Sequence, residues 1–213
     1  EVDSSGLTIV SVDGFRLALR HEAIDKKEGA ESFSFVVPGA ALSEVEKICL
    51  DVDEPAVITL GARHVMFQVG PTMLVSRRLE GEFLAYRQAI PRNNTIHVTG
   101  DAKALLASID RVSLIISDKL KSPLRCVFDH NVLKISTKTA IGDAYDECPL
   151  DGDGGGLEIG FNNKYLMDAL KAAPADRVRL ELTSGVSPCV ILPAEGEENF
   201  LYMVLPVRLK AGE

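Results

Sequence analysis

The sequence predicts an α+β fold in which helices pack on antiparallel sheets, built by repeating one strand–helix–strand–strand–strand unit. Two observations carry that prediction. Each of three successive stretches of roughly 50–60 residues contains one amphipathic helical segment with extended runs around it. The 213 residues are 46% hydrophobic and 25% charged, the balance of a chain that can bury a core. That length exceeds a typical domain of roughly 100–150 residues, so one large domain or one and a half to two smaller ones would fit.

The first unit opens with the extended segment Phe33-Ser-Phe-Val-Val. Pro38 suits a first helical turn, where its missing N–H costs little. Ala41, Leu42, Val45, Ile48 and Cys49 then recur at helical spacing, and Ala56–Leu60, Val65–Val69 and Met73–Arg77 read as strands. The second unit starts at Thr95-Ile-His-Val. Its helix carries Leu105, Leu106, Ile109 and Val112 on one stripe, with Thr99 or Asp101 as cap. Cys126–Phe128 and Val132–Ser136 read as a hairpin turning at Asp129-His-Asn131. The third unit starts at Leu157. Asn162 is its expected N-cap, Leu166, Ala169, Leu170 and Ala173 its buried stripe, and Pro174 its stop. Strands are expected at Val178–Leu182, Cys189–Leu192 and Leu201–Val207. Units two and three make one domain. Unit one has only the runs Leu7–Val12 and Phe15–Arg20 before it and lacks a partner helix. Its apolar stripe near Leu42 and Val45 should therefore be left open.

Several function classes are excluded or disfavoured. A net charge of −8 argues against a tight electrostatic grip on nucleic acid. Cys49, Cys126, Cys148 and Cys189 form no C-x-x-C pair and read as thiols of a reducing compartment. The longest apolar run, Phe200–Val207, is too short for a bilayer, and the start carries no basic or apolar leader. A cytoplasmic protein that does not engage a membrane is expected. His21, His64, His97 and His130 are scattered, with no metal-binding spacing, and no phosphate loop or nucleophile motif appears. Asp151-Gly-Asp-Gly-Gly-Gly156 lacks the closing glutamate of a calcium loop and reads as a connecting loop. Glu197-Glu198 reads as a hairpin tip. No enzyme, metal or cofactor is expected.

Four segments in order resemble one family. Val10-Ser-Val-Asp-Gly-Phe-Arg-Leu-Ala is similar to a T-D-G-H-R-L-A segment, and Gly81-Glu-Phe-Leu-Ala-Tyr-Arg-Gln-Ala-Ile-Pro to G-x-F-P-D-Y-x-x-x-x-P. Glu158-Ile-Gly-Phe-Asn-Asn-Lys-Tyr-Leu-Met-Asp-Ala-Leu resembles I-x-F-N-x-x-Y-x-x-D-x-L, and Tyr202-Met-Val-Leu-Pro-Val-Arg-Leu resembles the closing M/L-P-V/M-R. The family is the bacterial DNA polymerase III beta subunit, the sliding clamp. The resemblance covers the second half of its middle domain, taken as residues 1–92, and its whole last domain, residues 93–213.

The resemblance implies a DNA-clamp fold and a non-catalytic processivity factor. Two three-domain subunits form a head-to-tail homodimeric ring around duplex DNA. The DNA polymerase III catalytic subunit, the clamp loader and repair proteins dock through short peptides of the Q-x-x-L-F type. For that pocket the resemblance implies Gly14, Arg16 and Leu17 on one side. On the other it implies Asn162, Tyr165, Val186, Pro188, Met203, Val204, Leu205, Pro206, Val207 and Arg208. Val12 and Phe15 replace the family's threonine and histidine, Leu84 its proline, and Gln88 a common basic residue. The subunit interface is implied at Ile115 and Ile116 (apolar) and at Asp143, Asp146 and Glu147 (acidic). Lys103, Arg111, Lys164 and Lys171 are the candidate DNA-facing cations. Acidic neighbours balance the helical cations, so DNA encirclement rests on the resemblance and not on composition. Without the family's first domain this chain is not expected to close a two-subunit ring. A diverged or truncated clamp-like module that binds peptides without encircling DNA is the alternative.

Overall fold

The computed structural model describes residues 1–24, 32–50, 52–117 and 122–209. Along the chain run β1 (Val2–Asp3), β2 (Gly6–Val12), β3 (Arg16–Glu22), α1 (Gly39–Cys49), β4 (Val57–Leu60), β5 (His64–Val69) and β6 (Thr72–Arg77). These are followed by α2 (Tyr86–Ala89), β7 (Ile96–Asp101), α3 (Ala102–Ser113), β8 (Leu124–Thr139), β9 (Gly142–Phe161) and α4 (Asn163–Ala172). The last three are β10 (Arg177–Leu182), β11 (Cys189–Pro193) and β12 (Phe200–Val204).

The chain divides into two compact units, Glu1–Leu7 with Asp25–Ala85, and Thr8–Ile24 with Tyr86–Glu213. In the smaller, β5 is the middle strand of an antiparallel sheet with β4 and β6. Its alternate residues Val65, Phe67 and Val69 are buried, the period-2 signature of a one-faced sheet. Helix α1 packs against β5 and β6 yet buries none of its own residues fully, so the stripe of Leu42 and Val45 stays partly open, as expected. Phe33–Val37 forms no strand. It makes only isolated bridges, Val2 with Phe33 and Val36 with Leu79.

The larger unit is organised by a sheet in the order β2-β3-β12-β11-β10-β7-β9-β8. Strand β11 is buried at every residue because both sheet faces are covered. Cys189 and Ile191 join the main core beneath α3 and α4. Val190 and Leu192, on the other face, meet Leu17, Met203 and Tyr86 of the short helix α2. Helix α3 places Leu105, Ile109 and Val112 in the main core, and α4 places Leu166, Ala169 and Leu170 there. Asp101 caps α3, accepting from the Ala104 N–H at 2.7 Å. Cys126, Cys148 and Cys189 are buried free thiols, and burial pushes Cys126 up to about 12, which leaves it unreactive.

Two sequence expectations are corrected here. Asp129-His-Asn131 is not a hairpin turn but a bulge inside the continuous strand β8, with register shifts on either side of His130. Asn131 does adopt the left-handed conformation its turn chemistry suggests, at φ 56°. The strand absorbs that single residue and carries on pairing with β9. Asp151–Gly156 is likewise no connecting loop. It lies within β9 opposite the bulge, where a Cβ on Gly154 would stand 2.4 Å from the Phe128 carbonyl oxygen.

Candidate functional site

The larger unit carries a groove of about 280 Å³ between β3 and α4. Its floor is apolar, with Ala169, Tyr202 and Val204 buried; Leu17 and Met203 also line it but belong to the cluster on the other sheet face. Its rim is polar, with Ser11, Asp13, Arg16, Tyr165 and Asp168. Local sequence positions each wall. Tyr165, Asp168, Ala169 and Ala172 stand at i, i+3, i+4 and i+7, one helical face. Asn162 starts that helix, its side chain accepting from the Lys164 N–H at 3.0 Å and the Tyr165 N–H at 3.4 Å. Arg16 and Ala18 alternate on β3 and so share a sheet face. The Tyr202 hydroxyl donates to the Ala172 carbonyl at 2.9 Å, tying β12 to the end of α4.

Arg16 is held on three sides. Its Nε donates to Asp13 Oδ2 at 2.9 Å, its Nη1 to Asp168 Oδ2 at 2.6 Å, and its guanidinium lies 4.5 Å from the centre of the Tyr165 ring. Phe15 stacks on the same ring, centroids 5.9 Å apart, and its carbonyl accepts from the Leu205 N–H at 2.9 Å. Asp13 Oδ1 in turn accepts from the backbone N–H groups of Phe15 and Arg16, at 2.9 and 3.0 Å. Burial acts to raise the Asp13 carboxyl. The Phe15 N–H and Arg16 outweigh it, so Asp13 sits below its usual range.

Of the residues implied for the pocket, Arg16, Leu17, Tyr165, Met203 and Val204 line this groove. Gly14 is at the exposed hairpin tip, Asn162 serves as the α4 cap, and Val186 is exposed on the turn before Pro188. Leu205, Pro206, Val207 and Arg208 follow β12 as an extended segment outside the lining, and the Val207 N–H bonds the Gly160 carbonyl at 2.8 Å. The sequence reading missed Ser11, Asp13, Ala18, Asp168, Ala169, Ala172 and Tyr202. Helical spacing from Tyr165 and strand spacing from Arg16 would have found four of them.

The remaining candidates lie elsewhere in the larger unit. Ile115 and Ile116 follow α3, and Ile116 packs on the main core. Asp143, Asp146 and Glu147 lie on β9. Asp146 is already engaged. The Ser108 hydroxyl donates to its Oδ2 at 2.8 Å, and Arg111 Nη2 lies 2.6 Å away. The Ser108 bond holds its carboxyl below the usual range against partial burial, and Arg111 adds to the effect. A carboxyl depressed in the fold stabilises above its unfolded value of about 3.9 and loses that contribution as pH falls through the lower folded value. Asp146→Asn is therefore expected to lower the thermal midpoint at neutral pH, with the gap from the parent closing below about pH 4; a gap constant from pH 7 to 2.5 would contradict this. Lys103 pairs with Asp176 at 3.3 Å, both well exposed, and Lys164 and Lys171 are exposed on α4.

Solved structures place this architecture. A DNA polymerase sliding clamp from Pseudomonas aeruginosa superposes with a TM-score of 0.89 at 27% identity, covering 98% of this chain and 56% of that one. A DNA polymerase III beta subunit from Thermotoga maritima superposes at 0.84 with 30% identity, covering 95% of this chain and 55% of that one. The fold is that of the DNA sliding clamps. The sequence profile of the C-terminal domain of the DNA polymerase III beta subunit matches residues 87–208, and that of the central domain matches residues 1–84. The chain belongs to the DNA polymerase III beta subunit family. It is 31% identical over 209 residues to the beta sliding clamp of Staphylococcus aureus, and it spans about half the length of the curated relatives it matches, 55% in that case. No helix among the described residues is long and apolar enough to cross a membrane.

Proposed function

We propose that this chain contributes the middle and last portions of a DNA sliding clamp, a cytoplasmic, non-catalytic protein that docks replication and repair proteins through short peptides. The groove between β3 and α4 carries the reading. Its buried apolar floor takes peptide side chains at roughly 25 cal/mol per Å² of apolar area removed from water, and its polar rim orients them. The partners are the polymerase catalytic subunit, the clamp loader and repair proteins. The intact protein would encircle duplex DNA as a homodimer, with Ile115, Ile116, Asp143 and Glu147 at the contact between protomers. A second reading, a peptide-binding module without a ring, draws support from the pairing of Arg111 with Asp146 and of Lys103 with Asp176, which engages candidate DNA-facing cations within the chain itself.

Ala18 gives a clean test, because it lines the groove while remaining exposed. Ala18→Phe plugs the groove without removing a core contact. A fluorescein-labelled Q-x-x-L-F-type peptide should bind this variant at least about tenfold more weakly at an unchanged thermal midpoint. Equal Kd values for the two proteins would remove the groove from docking.

A further inference from the structure

We infer that the peptide segment taken by this groove is cationic beside its apolar anchors, and that Asp168 recognises the cation; this rests on the docking reading above. Three ionisable side chains of fixed charge line the groove, the carboxylates of Asp13 and Asp168 and the guanidinium of Arg16. Two negative charges against one positive leave the rim net negative. Arg16 would be the natural anchor for an acidic peptide, but its Nε and Nη1 already donate to Asp13 and Asp168 and one face is covered by Tyr165. An incoming carboxylate would reach Arg16 while facing the two carboxylates already paired with it.

The two carboxylates are not equivalent. Asp13 commits Oδ1 to two backbone N–H groups and Oδ2 to Arg16, so it holds the hairpin tip in shape. Asp168 gives Oδ2 to Arg16, and its Oδ1 has no partner among the described residues. Its side chain is 55% exposed on the α4 face that lines the groove. A Lys or Arg of a bound peptide therefore meets an acceptor that is fixed in place and open to solvent. A segment of duplex DNA is disfavoured at the same place, since its phosphates would face the same surplus of negative charge.

The test compares three fluorescein-labelled Q-x-x-L-F-type peptides, flanked on each side by two Lys, two Gln or two Glu, titrated into the intact chain at about 0.15 M salt. The Lys-flanked peptide should bind about two- to fivefold tighter than the Gln-flanked one, the range of a solvent-exposed ion pair, and the Glu-flanked peptide more weakly than either. Asp168→Asn should erase the Lys preference. Arg16→Gln, which uncovers both carboxylates, should enlarge it. Opposite changes from two substitutions in one ion pair cannot both come from a loosened hairpin. Glu46→Gln removes the same unit of charge from α1 and should leave the preference intact, separating a local contact from the attraction of any cation to an acidic protein. Equal binding of all three peptides, or a preference that survives Asp168→Asn, overturns the inference while leaving docking in place. No saturable binding of any peptide removes the docking reading and this inference with it.

Discussion

Phe161→Ala is expected to destabilise the larger unit by about 3–5 kcal/mol, the cost of truncating a fully buried aromatic whose surroundings cannot collapse. Phe161 closes β9, pairs with Leu124 of β8 and has no solvent exposure. It belongs to the core built from α3, α4 and the β8–β9 hairpin, elements distant in sequence that relax poorly around a cavity. The next residue, Asn162, is the cap of α4. A cavity at 161 therefore loosens the origin of the helix that forms one wall of the groove. Urea unfolding followed by circular dichroism should show a lower midpoint with an unchanged slope. Hydrogen exchange should show faster opening through the first turn of α4. A loss below about 1 kcal/mol would mean that the core repacks, contrary to the burial described above.

How much of this was legible in the sequence depended on how local the cause was. Helix α4 was readable almost to the residue, because its cap, its stripe and the proline that stops it all lie within one short segment. The strands β10 and β11 were readable for the same reason. The bulge in β8 was not. Asp129-His-Asn131 has the composition of a turn, and only pairing with β9, whose glycine-rich stretch lies opposite, makes it a kink in a continuing strand. The groove shows the same division. Leu17, Tyr165 and Met203 could be placed from the family resemblance. Arg16, however, enters from that resemblance only as a pocket residue. Its partner Asp168 lies 152 residues away and becomes visible only when β3 and α4 are brought together. The groove's polarity is a long-range property, and so its inferred preference reverses the one that Arg16 alone suggests.

Gly160→Ala tests whether the segment after β12 belongs to the docking site. Gly160 is the neighbour of Phe161 on β9, so its missing side chain faces away from the core that Phe161 enters. There it lies against the extended segment Leu205–Leu209. A Cβ at 160 would stand 2.4 Å from the Val207 carbonyl oxygen and 2.8 Å from Leu209 Cδ2. Backbone cannot yield there as a flexible side chain would, so the segment has to lift. Lifting breaks the 2.8 Å bond from the Val207 N–H to the Gly160 carbonyl and leaves the bond from the Leu205 N–H to Phe15 as the tether on the groove side. The expected cost is about 1–3 kcal/mol, with exchange of the Val207 amide at least about tenfold faster while β12 keeps its protection. Unchanged exchange at Val207 would show that the strand shifts in place of the segment. The consequence for function follows from geometry. Residues Leu205, Pro206, Val207 and Arg208 lie outside the groove lining, although the resemblance assigns them to the peptide pocket. If an arriving peptide draws them in, Gly160→Ala should weaken peptide binding several-fold while Ala18 and the groove floor remain intact. If the groove alone is the site, the same variant should bind the peptide with the affinity of the parent.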